Sequence, residues 1–173
     1  SKLGGDARAS FQPRATDRRS GHPGAGHPQQ SLVQGRGIGI LGMGMKDVFR
    51  IYHDHIRAKY DAEPGFITMN MPALYDALTE VGIKNPIICS DINKIGFRMS
   101  GGLEAYAKTL REGKLRAIAM SVFASGAIPP REAIEWLATQ PNIASIVFGA
   151  SSRHNIASTK ALATEFFGAE QMA

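Results

Sequence analysis

Apolar positions in residues 31–173 fall into two alternating patterns: short continuous runs and helix-spaced stripes. The runs are 65–69, 87–92, 116–122 and 144–148, each of a length that suits a strand covered on both faces. A further stretch, 37–43, is rich in glycine and reads either as a strand or as a Gly-rich loop. Between the runs, the spacing predicts helices over 46–60, 71–81, 102–112, 130–139 and 154–167. The first is expected to bury Val48, Ile51, Tyr52, His55 and Ile56, and the second Leu74, Leu78 and Val81. The third is expected to bury Leu103, Tyr106, Ala107 and Leu110, and the fourth Ile134, Leu137 and Ala138. Pro72 and Pro130 suit first helical turns, and Gly82 and Gly113 suit helix ends.

Alternating β and α units with continuously apolar strands predict a parallel sheet covered by helices. Four units are clear and 37–60 offers a fifth. Right-handed crossovers then bring every βα loop to one end of the sheet. An open doubly wound sheet and a segment of a (β/α)8 barrel share this pattern. The unit spacing is close to that of barrels, yet a complete barrel takes about 250 residues and roughly 200 at the least. Residues 31–173 hold about half of one. The expected fold class is therefore α/β, a partial (β/α)8 TIM barrel of four to five βα units. Such a sheet has open edges and an uncovered face. A homodimer, or a missing N-terminal half-barrel, would close it.

Composition changes the picture at the N-terminus. The chain carries a net charge of +5 over 173 residues. Lys2, Arg8, Arg14, Arg18 and Arg19 against Asp6 and Asp17 place +3 of it in residues 1–30. That stretch has five Gly and three Pro, with only Leu3 and Phe11 as large apolar residues. It reads as a disordered basic tail, because it cannot bury enough surface to offset its ordering entropy. A lone Phe11 gives no stacking platform, which argues against nucleic acid as a partner. Residues 31–64 then read as a Gly-rich junction plus helix, and 65–173 as the half-barrel. No stretch approaches the roughly 18 apolar residues of a membrane span, the N-terminus has no signal-type apolar region, and Cys89 has no second cysteine to pair with. A cytoplasmic setting is expected.

Five segments carry a family resemblance: 65–70, Asp91-Ile92-Asn93, 119–126, 133–137 and 146–152. In order and spacing they resemble strands five to eight of the aldo-keto reductase family, or of the aldo-keto-reductase-like barrels close to it. The likeness covers about 100 residues. It implies a nicotinamide cofactor, NADP or NAD, with Thr68, Asn70 and Ser121 near its carboxamide. Gly149, Ala150, Ser151, Ser152 and Arg153 would approach its phosphates, where small residues let backbone amides close on an anion and the following helix presents its positive end. The sequence departs from the family at Cys89, Met120, Val122, Gly149 and Asn155. The family's catalytic Asp, Tyr, Lys and His lie in the barrel's other half, and no stretch before residue 65 shows their motifs. Without a Tyr acid primed by a Lys there is no proton donor for carbonyl reduction. Any activity of the NAD(P)-dependent oxidoreductase type would need that half from elsewhere. The alternatives are a non-enzymatic, self-associating half-barrel and a fragment without activity of its own.

Gly37-x-Gly39-x-x-Gly42 fits a dinucleotide string, but Ser31 to Gln34 is a poor strand to precede it. His53 and His55 point about 200° apart on a helix and cannot share one metal ion. Asp91, Asn93 and Lys94 stand at a strand end, where barrel sites form. Lys94, Arg98 and Arg153 offer a cationic mouth or ordinary surface charges.

Overall fold

The computed structural model describes residues 32–33 and 44–168. The tail 1–30 and the stretch 37–43, with its glycine string, lie outside the described residues.

The elements alternate as expected. They are β1 (Leu32–Val33), α1 (Asp47–Tyr60), β2 (Gly65–Thr68), α2 (Met71–Glu80), β3 (Ile87–Asp91), α3 (Gly102–Glu112), β4 (Arg116–Met120), α4 (Pro130–Ala138), β5 (Ile143–Ile146) and α5 (Arg153–Phe167). A short 3-10 turn, Ala124–Gly126, precedes α4. All strand pairings are parallel, and the order is β1-β2-β3-β4-β5. A chain that always steps to the next strand in one direction keeps its crossover helices on one face. The packing agrees. Phe49, Leu74, Leu78, Tyr106, Leu110, Ile134 and Leu137 from four helices meet Phe66, Ile88, Ala117 and Ala119 on one sheet face. On the other face Ile87, Cys89 and Ile118 cluster with Ile67 and Met120, without a helix residue. This is the winding of a barrel wall, not of a doubly wound sheet.

Local chemistry fixes the boundaries. Asn70 caps α2, its Oδ1 accepting from the N–H of Ala73 at 3.2 Å, and Pro72 occupies the first turn. Gly113 ends α3 for want of space and not for a special φ. A Cβ there would lie 2.5 Å from the Thr109 carbonyl oxygen and 2.6 Å from Leu115 Cδ2. Asn142 holds a left-handed φ of 61° and donates from Nδ2 to the Leu110 and Gly113 carbonyls at 2.8 and 3.1 Å, so it satisfies the end of α3 from a distance. Tyr106 is the polar hub of the core. Its phenol donates to the Met69 carbonyl at 2.9 Å, accepts from the Met71 N–H at 3.1 Å and lies 3.1 Å from Ser90 Oγ. Burial pushes this phenol above its ordinary range, against the opposing hydrogen bonds from Ser90 and Met71.

The structure corrects four expectations. Helix α1 buries Phe49 and Ile56, with Tyr52 half-buried against Phe66 at 5.7 Å between ring centroids, whereas Ile51 and His55 are exposed. The edge-on contacts of Phe49 and Tyr52 with Phe66 choose that face. Leu103 is exposed because it sits in the first turn of α3, beyond the sheet. The first strand lies at Leu32–Val33, inside the stretch that reads as a poor strand, and pairs with Gly65 and Phe66. Finally, β5 covers 143–146 and not 144–148, after a register shift opposite Ala117 and Ile118, and Ala144 and Ser145 on it are exposed. No helix among the described residues is long and apolar enough to cross a membrane.

Candidate functional site

Parallel strands bring their C-terminal ends to one edge of the sheet, and with them the residues singled out from the sequence. At the end of β2, Thr68 is buried and its Oγ1 accepts from the Asn70 N–H at 2.9 Å. The Asn70 Oδ1 is taken by the cap of α2, which leaves the Asn70 amide nitrogen and the Thr68 hydroxyl hydrogen as the donors of this pair. At the end of β3, Asp91 is buried. Asn93, also buried, closes its own loop: Oδ1 accepts from the Phe97 N–H at 2.8 Å and Nδ2 donates to the Phe97 carbonyl at 2.9 Å. Lys94 reaches across to Glu132 on α4 at 2.8 Å.

Beside the ends of β4 and β5 lies an open cavity of about 720 Å³. Ser121 and Gly149, the two small residues expected near a cofactor, both line it. The far wall is the β4–α4 loop through Phe123, Ser125 and Gly126 to Pro130. That loop is conformationally unusual. Ser121, Ala124, Ser125 and Gly126 all have positive φ, from 46° to 89°, and only one is glycine. Three non-glycine residues in the left-handed region each cost about 1 kcal/mol or more.

The loop's hydrogen-bond accounting is uneven. Within it, the N–H of Ala124 bonds the Ser121 carbonyl at 2.9 Å and that of Gly126 the Phe123 carbonyl at 2.8 Å. The N–H groups of Ser121, Val122, Phe123 and Ser125, all in cavity-lining residues, meet no acceptor among the described residues. Turns that alternate right- and left-handed residues make concave rows of N–H donors that suit anions.

From Gly149 the chain runs through exposed Ala150, Ser151 and Ser152 to the start of α5. Ser152 caps that helix, accepting from the Asn155 N–H at 3.2 Å, and Ser151 Oγ accepts from Asn155 Nδ2 at 3.1 Å. Arg153 is exposed and makes no ion pair among the described residues. Of the expected cationic mouth, Lys94 is thus engaged, Arg98 lies 4.0 Å from Met69 Sδ, and Arg153 stands apart on α5.

Other reactive side chains are accounted for. His53 Nδ1 lies 2.9 Å from Asp54 Oδ1, while His55 packs edge-on to Tyr60. Among the described residues no three His, Cys, Asp or Glu side chains are placed to hold a metal ion. Cys89 is buried in the sheet, and burial, followed by the nearby Asp91 charge, pushes its thiol up to about 11. It is a poor nucleophile there.

Sequence reasoning had not marked Ser125, Gly126 or Phe123. The Ala-Ser-Gly string 124–126 signals a turn, but which N–H groups it leaves open depends on φ values that composition does not fix. Comparison with protein-family models, with curated proteins and with solved structures gave no match to this chain.

Proposed function

We propose that this chain is the cofactor-binding half of an aldo-keto-reductase-like barrel, which takes the phosphates of a nicotinamide dinucleotide, NADP or NAD, at the ends of β4 and β5. The observation that carries this reading is that four residues lining a cavity of about 720 Å³, Ser121, Val122, Phe123 and Ser125, have N–H groups with no acceptor among the described residues. Phosphate oxygens accept several such bonds at once. A volume in this range suits a small molecule or cofactor.

The residues fit the phosphates better than the carboxamide. Ser121 and Gly149 line the cavity, and Arg153 stands at the start of α5, where helix dipole and side chain both favour an anion. The Thr68 and Asn70 side-chain oxygens each accept a backbone N–H, which leaves the Asn70 amide nitrogen and the hydroxyl hydrogen of buried Thr68 as the donors of this pair. When bound, the cofactor supplies or accepts a hydride. Tyr106 is buried and its phenol proton is committed to the Met69 carbonyl at 2.9 Å, so it does not supply the accompanying proton. The chain therefore binds and orients, and the acid comes from a complementary half-barrel.

Titration with NADPH tests this reading. Binding in the cavity raises the cofactor's fluorescence and saturates; no change at millimolar cofactor overturns it.

A second reading, a non-enzymatic half-barrel that pairs with a copy of itself, is favoured by the outer strand β5, where Ala144, Ser145 and the following Val147 are exposed. Sedimentation velocity separates the two. A dimer that does not bind NADPH supports pairing alone, and a well-folded monomer overturns it.

A further inference from the structure

The helix layer opens between α3 and α4. Helix α3 packs against α2 and α4 packs against α5, while α3 and α4 leave a cavity of about 250 Å³ between them. It shares no lining residue with the cavity beside β4 and β5.

Its inner surface belongs to the core. Ile92, Tyr106 and Leu110 line it and are at most 1% exposed, so packing fixes its shape before anything binds. The Tyr106 hydroxyl is already spent on Met69 and Met71. Ala107 from α3 and Trp136 from α4 form its sides. Leu103 also lines it and is 42% exposed, which leaves apolar surface for a guest to cover.

Charge and size select the guest. Among the described residues Lys94 is the one charged side chain in the lining, and its ammonium bonds Glu132 at 2.8 Å. No charge is left to meet an ionised ligand. One donor is left, because the Trp136 indole N–H meets no acceptor among the described residues. The complementary guest is uncharged, apolar over most of its surface, and carries an acceptor oxygen. A cavity of about 150 Å³ takes a benzene ring, and sites for drug-sized ligands begin at roughly 300 Å³. The α3–α4 cavity falls between the two, so it suits one or two rings. A protein segment suits it less. Glu104, Lys108, Glu132 and Glu135 are exposed on the same two helices, and the cores of protein interfaces are poor in charge.

We propose that the α3–α4 cavity is a binding site for an uncharged one- or two-ring aromatic compound with a hydroxyl or carbonyl oxygen. The ring covers the apolar lining, and the oxygen accepts from the Trp136 N–H. The inference stands independently of the cofactor reading above.

Titration of the full chain with p-cresol tests it, with 4-methylbenzoate as the charged comparison. Trp136 is the chain's one tryptophan, so its fluorescence reports on this cavity. The emission is expected to change and to saturate with a Kd of about 1 mM or tighter for p-cresol. The carboxylate is expected to bind roughly tenfold more weakly or worse. Ala107→Phe fills the cavity and is expected to weaken p-cresol roughly tenfold or more. Nuclear Overhauser contacts from the cresol ring to Trp136 and Leu110 in the wild type decide the matter even where the variant does not fold. No saturation by roughly 10 mM p-cresol overturns the inference. Equal binding of the two compounds, unchanged binding by the folded variant, or ring contacts elsewhere in the molecule each do the same. A wild-type dimer in sedimentation velocity that Ala107→Phe dissociates assigns the cavity to a second copy of the chain and also overturns it.

Discussion

At the N-terminal end of the sheet most polar groups are paired off, although Arg116 Nε is buried without a partner. Arg116, which opens β4, forms a two-pronged ion pair with Glu63 before β2, and its Nη2 also donates to the Asn85 carbonyl before β3 at 3.2 Å. Asn142, just before β5, satisfies two carbonyls at the end of α3. At the C-terminal end the accounts stay open. Among the described residues, four N–H groups of the β4–α4 loop lack acceptors and Asp91 Oδ2 lacks a donor. Positive φ at non-glycine residues occurs at both ends, at Asp61, Asn85 and Asn142 on one and at Arg98, Ser121, Ala124 and Ser125 on the other. One end spends most of its polar groups on joining strands, while the other leaves more of them unmet. A parallel sheet with every βα loop on one edge separates the two tasks, so the loops can carry ligand chemistry without loosening the core. Tyr106 is the exception that secures the open end, tying Met69, Met71 and Ser90 together below the loops.

The sharpest way to break this contrast is to remove that tie. Tyr106→Phe keeps the ring but leaves the Met71 N–H and the Met69 carbonyl short of a buried partner. The expected loss is about 1–3 kcal/mol in urea unfolding. A loss below about 0.5 kcal/mol would show that the open end needs no such anchor. At the closed end, Asn142→Ala removes two hydrogen bonds and leaves a β-carbon residue at φ 61°. A drop of about 1–2 kcal/mol is expected, with NADPH titration unchanged. If cofactor binding fell with stability, the two ends would be coupled.

Ser125→Gly runs the other way. Glycine tolerates the φ of 58° and ψ of 29° that serine holds under strain. The variant is expected to gain about 1 kcal/mol while keeping the loop's donors. Destabilisation would mean that the serine is not strained.

The smallest effect belongs to the Glu63–Arg116 pair. The Arg116 hydrogen bond holds the Glu63 carboxyl below its ordinary value of 4.5, against a smaller opposing effect of burial. A depressed folded-state value stabilises the fold above pH 4.5 and loses that contribution as pH falls through the folded value. Both side chains are more than a third exposed, so solvent screening limits the pair to about 0.5 kcal/mol. Glu63→Gln should remove that amount at pH 7 and flatten the acid limb of the stability profile, as read by urea midpoints from pH 3 to 7. An unchanged limb would remove the pair from the closed end's account.

Sequence periodicity located the α/β units well, because strand runs and helix stripes answer to different spacings. It placed Tyr52 and Ile56 on the buried side of α1 but added Ile51 and His55 and missed Phe49. A stripe turned toward Ile51 and one turned toward Phe49 are both acceptable on a 3.6-residue helix. Only the position of Phe66 on β2 decides between them. It placed Asp91, Ser121 and Gly149 at one sheet edge, since parallel winding forces strand ends together. It did not separate Asn93, closed on its own loop, from Asp91, left open. Both are polar residues at the same strand end, two positions apart.

The sequence by itself determined the order of elements, the helix starts marked by Pro72 and Pro130 and the general edge where a site can form. These follow from local spacing and from residue chemistry within a few positions. Tertiary structure alone decided which helix faces are buried, that Gly113 is required by space, and which polar groups at the C-terminal edge remain unpaired. Those depend on distances between residues far apart in the chain, and on backbone angles that neighbouring strands impose.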